Sequence, residues 1–131
     1  MVALAPGGAS GSRPGILSLR LDFAWGRDVP ALYLVAADDV QLPLAGMHEL
    51  FARTRATKRM VVLRRADHCH FMDDVEAAHE AVRTTPWSGD LAWLGEETRP
   101  IAELCSGEEA HTFVRGLTRS HLDAFLRGVD A

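Results

Sequence analysis

Two short stretches of this chain carry the residue types that move protons. Asp38-Asp39 stands directly after the apolar run Ala31 to Ala37, and Asp67-His68-Cys69-His70 follows the run Met60 to Leu63. Histidine titrates near neutrality, so it can take up a proton and return it within one reaction cycle. A carboxylate beside it fixes the tautomer and stabilises the protonated ring. An acid on one loop and a histidine on the next thus suffice for general base catalysis. Cys69 adds a thiol, and a thiolate next to histidine is reactive. Set between two histidines, it reads more simply as a small packing residue. His68, His70, Asp73 and Asp74, with His111 and His121 farther on, are potential metal donors. Their spacing fits no zinc motif, and nothing in the sequence draws the last two toward the first four. No metal and no cofactor is expected.

The flanking pattern supplies the elements that must position these groups. Ala31 to Ala37 is almost unbroken apolar sequence, as in a parallel strand covered on both faces. Pro30 just before it loses no ladder bond. Leu44, Met47, Leu50 and Phe51 recur at helical spacing, and Met60 to Leu63 makes a second buried strand. The result is a βαβ unit. In such sheets ligands and catalytic groups collect beyond the carboxyl ends of the strands, where both stretches lie.

The rest of the chain extends this core. Met1 to Ala5 reads as a third strand. A parallel strand ordinarily follows a crossover helix, so the sequence is expected to be the later part of a larger domain. Pro6 to Pro14 is loop by composition. Leu17, Leu19, Leu21, Phe23 and Trp25 alternate with smaller or polar residues, which predicts a half-buried extended segment or a flap with its aromatic pair over a pocket. Asp73 and Glu76 form a capping-box pair for a helix whose stripe is Val75, Ala78, His79 and Val82. His79 is expected to be a packed or partly exposed helix residue. Residues 86–107 are poorly periodic and predict a long loop with short helical turns, of unassigned role. Ser106 and Glu109 cap a last helix to about Arg127, with Phe113, Val114, Leu117, Ala124 and Phe125 inward, Gly128 as its stop and a short tail after it.

Bulk properties narrow the function classes. The chain has 131 residues, enough for one domain, 1–131, and its net charge of −4 argues against nucleic acid or an acidic membrane as partner. No apolar run approaches the roughly 20 residues that span a bilayer. MVALAPGG lacks the basic start of a signal peptide. The two cysteines make no disulfide framework. A cytoplasmic setting is expected.

The segment LVAADDVQLP is similar to the acid segment of the α/β-hydrolase superfamily, where an Asp stands four residues before a Pro beyond a buried strand. VVLRRADHCHF resembles its histidine segment, in the form found among dienelactone-hydrolase-like members. The order, acid before histidine, agrees with Ser…Asp…His. The resemblance implies an α/β fold, a small parallel sheet of about three strands with flanking helices, matching the C-terminal half of such a domain. It implies that Asp39, the residue four before Pro43, is the triad acid. It makes His68 the base, with His70 as the alternative. It implies ester or acyl hydrolysis of a small molecule.

One departure is plain. The superfamily's nucleophile sits in a G-x-S-x-G elbow upstream of the acid, and this sequence has none. Gly8-Ala9-Ser10-Gly11-Ser12 comes nearest and reads as a flexible loop. The chain alone is therefore expected to be inactive. The alternative is a non-catalytic α/β module that self-associates or binds a partner. An open sheet edge is a template for pairing, and a homodimer through that edge is the form expected.

Overall fold

The computed structural model describes residues 1–128; the tail expected after Gly128 lies outside them. Three parallel strands form one sheet in the order β1 (Val2–Leu4), β2 (Ala31–Ala36), β3 (Lys58–Leu63). Every residue of β2 is buried, which is why its sequence is uninterrupted by polar residues. β1 is only half-buried, and its Leu4 is 42% exposed. The fold is α/β with helices flanking a small open sheet, as expected.

The two faces of β2 organise two cores, because alternate side chains of a strand point to opposite sides. Ala31, Tyr33 and Val35 meet Met47 and Leu50 of α1 (Leu44–Arg53). On the other side Ala36 joins Leu63, Ala66, Cys105 and Ala110, the last from α4 (Gly107–Leu126). Truncating the fully buried Leu50 to Ala would cost about 2–5 kcal/mol by cavity formation. α1 starts after Pro43 and stops at Thr54. There the Tyr33 and Thr54 hydroxyls lie 2.5 Å apart, and the Lys58 ammonium donates to the carbonyls of Phe51 and Thr54 at 2.6 Å. A cation on the last carbonyls of a helix satisfies them and complements its dipole.

After β3 the chain makes a 3-10 turn, His68–Phe71, and enters α2 (Val75–Thr84). Asp74, one residue later than expected, caps α2, its carboxylate accepting from the Ala77 N–H. Glu76 does not close the capping box; it accepts instead from the Gly107 N–H at the start of α4. Residues 86–107 contain α3 (Trp93–Glu97) between two 3-10 turns.

Two expectations about packing are corrected. α4 buries Ala110 and His121, whereas Phe113 and Phe125 are 53% and 45% exposed. Val114, Leu117 and Ala124 are half-buried, as expected, so only the two phenylalanines of the expected face turn outward. The segment 17–25 joins no strand, and Leu17, Leu19 and Leu21 are exposed. Its aromatic end does pack: Phe23 stacks on Trp25 and lies beneath the Arg53 guanidinium. Among the described residues, no helix is long and apolar enough to cross a membrane.

Candidate active site

The backbone ladder brings the two proton-moving stretches together. Beyond β2, the Ala37 N–H donates to Leu63 O and the Asp38 N–H to Ala66 O, both at 2.9 Å. The loops after β2 and β3 therefore leave the sheet side by side. Asp39 then turns inward and is 5% exposed. Its Oδ1 accepts from the N–H groups of Gln41 and Leu42, each at 2.8 Å. An Asp that bonds backbone amides just ahead of it folds the loop as an Asx turn. That leaves Oδ2 free, 3.0 Å from His68 Nδ1.

His68 is aimed by its own turn. Arg65 adopts the left-handed region (φ 50°), which swings the chain off β3. Asp67 caps the 3-10 turn by accepting from the Cys69 N–H at 3.0 Å, and His68 is the first residue of that turn. Its side chain keeps one-third of its exposure while that of Asp39 keeps almost none. A buried carboxylate accepting the Nδ1 proton leaves Nε2 as the basic, solvent-facing nitrogen. Among the described residues Nε2 makes no hydrogen bond. The bond to Asp39 raises the His68 pKa above its ordinary 6.5, outweighing the burial that would lower it. His68 is neutral, and able to act as a base, only once pH exceeds that raised value.

His70, the alternative base, is placed elsewhere. It is fully buried, with Nε2 donating to Cys105 O at 2.9 Å. Its Nδ1 lies 2.8 Å from Asp67 Oδ1 and 2.9 Å from the Asp67 N–H. His79 on α2 completes a cluster that the sequence did not reveal. It is also fully buried, its Nε2 donates to Arg99 O at 2.7 Å, and its Nδ1 stands 2.7 Å from Asp67 Oδ2. Burial pushes the Asp67 pKa up, but the His70 hydrogen bond and the charges of His79 and His70 outweigh it, so the net shift is downward. The only hint in the sequence was a histidine on the apolar stripe of a helix.

Arg99 also borders the site, donating to Asp38 Oδ1 at 2.8 Å and to Glu103 Oε2 at 3.0 Å. Asp38 is thus an ion-pair partner of Arg99, while Asp39 partners His68. Cys69 is buried, and burial pushes its thiol up to about 12, so it is no nucleophile at neutral pH. Ser10 lies in a loop whose hydroxyl donates to Glu49 Oε2 at 2.6 Å. It lines a cleft with Gln41, Pro43 and Gly46 that includes neither Asp39 nor His68. Of the potential metal donors, His111 bonds Met72 O and His121 packs at a tilt against Phe125, so neither joins His68 or His70. The donors that do converge are Asp67, Cys69 and His79. No family model matches the chain, and no curated protein or solved structure matches it.

Proposed function

We propose that Asp39 and His68 are the acid and base of an acyl-hydrolase triad of the α/β-hydrolase kind, acting on a small ester or related acyl substrate. The observation that carries this reading is the 3.0 Å contact from Asp39 Oδ2 to His68 Nδ1, with Oδ1 tied down by two amides. A carboxylate with one oxygen anchored to backbone and the other on imidazole Nδ1 cannot rotate away, so it holds one tautomer. In the reaction His68 Nε2 takes the hydroxyl proton of an attacking serine as the Ser O–C bond to the acyl carbon forms. Asp39 stays ionised and stabilises the imidazolium. His68 then delivers that proton to the leaving alkoxide. The serine is not among the residues of this sequence in elbow form, so the reading assigns this chain the acid and base and not the nucleophile.

The test is a longer product. The reading frame upstream of the Met1 codon should encode a G-x-S-x-G elbow, and the extended protein should hydrolyse an activated aryl ester. Asp39→Asn and His68→Ala should each lower its kcat on the order of 10³–10⁴-fold. The 131-residue chain should neither turn over the ester nor be labelled by a fluorophosphonate. Labelling of Ser10 or Ser12, or esterase activity that survives His68→Ala, would overturn the reading.

A second reading has its own observation. β1 pairs only with β2 among the described residues, and Leu4 stands exposed beside the free edge. A non-catalytic module would pair two copies there. Light scattering of the purified chain discriminates: a 14.3 kDa monomer removes this reading, and a dimer broken by Leu4→Pro, whose lost N–H faces the free edge, supports it.

A further inference from the structure

The buried cluster beneath the site poses a charge problem of its own. His79 Nε2 faces the carbonyl of Arg99 at 2.7 Å. A carbonyl only accepts, so Nε2 carries a proton. In the neutral ring the remaining lone pair is then on Nδ1. Nδ1 stands 2.7 Å from Asp67 Oδ2 without the alignment of a hydrogen bond, and it has no other partner in its fully buried site. An anionic oxygen and an unprotonated nitrogen this close in a dry interior repel unless a proton or a metal ion neutralises them. Cys69 supplies a third donor: its Sγ, a carboxylate oxygen of Asp67 and a nitrogen of His79 all lie within 4.8 Å of one another.

We infer that Asp67, Cys69 and His79 form a binding site for a thiophilic divalent cation such as zinc, independent of the hydrolase reading. The donor set fits that ion: carboxylate, thiolate and imidazole are the ligands zinc takes. Charge fits as well. One carboxylate and one thiolate balance two positive charges, so the occupied site is neutral where an uncompensated charge would be costly. The surroundings have the form of an outer shell. The second nitrogen of His79 donates to a backbone carbonyl, and Asp67 Oδ1 accepts from the Cys69 N–H. Ligating histidines and carboxylates are oriented in this way. On binding, the Cys69 S–H bond breaks, sulfur bonds the ion and the proton passes to solvent. Affinity therefore falls as pH is lowered. Two of the three donors flank His68 in sequence, so the ion would lock the turn that aims it onto α2.

The experiment is a cobalt(II) titration of the purified, chelator-treated chain, followed by absorption spectroscopy. A thiolate-to-cobalt charge-transfer band saturating at one equivalent is expected. Cys105→Ser should keep the band, and Cys69→Ser should abolish it. His79→Asn should weaken binding by at least the roughly 10–100-fold that loss of an outer-shell partner costs. No band in the folded wild-type chain overturns the site, whatever the variants do. So does a band that survives Cys69→Ser. Nitrogen-15 spectra showing both ring nitrogens of His79 protonated in the presence of the metal would mean that a proton alone bridges Asp67 and His79, and would also overturn it.

Discussion

The dyad Asp39–His68 and the cluster Asp67–His70–His79 are built from the same two residue types, a few residues apart, and do opposite things. In the dyad one imidazole nitrogen is held and the other is left to solvent. In the cluster both histidines are fully buried and their common carboxylate is nearly so: His70 is bonded at both nitrogens, and His79 at Nε2, with its Nδ1 enclosed against Asp67. The difference teaches that an acid–histidine pair can exchange protons with solvent only where a ring nitrogen is both uncommitted and exposed. Contact distance alone would rank the cluster first, since its approaches of 2.7 and 2.8 Å are shorter than the 3.0 Å of the dyad.

Substitutions should separate the two regions sharply. The largest effect belongs to Asp67→Ala, which strands His70 and His79 in a dry interior and removes the cap of the 3-10 turn. Breaking one partner of such a buried pair costs about 3–5 kcal/mol, read as a loss of midpoint in a urea melt. A smaller change is expected for Asp39→Asn. The amide oxygen can still accept from Gln41 and Leu42, so about 1 kcal/mol is lost. The same variant should return the His68 titration midpoint, followed by NMR, toward its ordinary value. A midpoint that does not move would show that the dyad contact is not what raises it. Smallest of all is His68→Ala, whose side chain is one-third exposed and anchored at one nitrogen, with a cost within about 0.5–1 kcal/mol.

pH should divide them too. His68 has a raised pKa in the folded chain. Its contribution is complete below the unfolded value and fades as pH rises through the folded one. Asp67 has a lowered pKa, so its contribution is complete above the unfolded carboxylate range and fades as pH falls through the folded value. Acid unfolding should therefore be blunted in an Asp67 variant, whereas Asp39→Asn should lose the His68 contribution on the acid side of the His68 titration. Equal acid sensitivity in the two would erase the distinction.

That the two stretches meet was legible because each lies on the loop after one of two adjacent parallel strands; which Asp and which His pair was read from the resemblance alone. β2 was legible because a strand covered on both faces has no polar residue to blur its ends. The cluster was not legible. Asp67 and His79 are twelve residues apart and meet only through the docking of α2 against the turn, which no local pattern encodes. The inner face of α4 failed in a related way. Val114, Leu117 and Ala124 face inward as expected, but the centre of that face lies on Ala110 and His121, which leaves Phe113 and Phe125 at its exposed margins, and period 3.6 alone does not fix that rotation. Alternation in 17–25 announced an extended chain but could not supply a neighbouring strand to pair with.

The peptide of Cys105 is clasped from both sides. Its N–H donates to Arg65 O at 2.6 Å, and its C=O accepts from His70 Nε2 at 2.9 Å. The entry to α4 is thereby stitched to the turn that presents His68. Amide exchange at Cys105 is then a gauge of local opening. It should proceed only when the turn and α4 come apart together, at a free energy well above that of the outer loops and set by this cooperative unit. A protease probing the exposed 17–25 segment would cut there first and leave the Cys105 amide unexchanged.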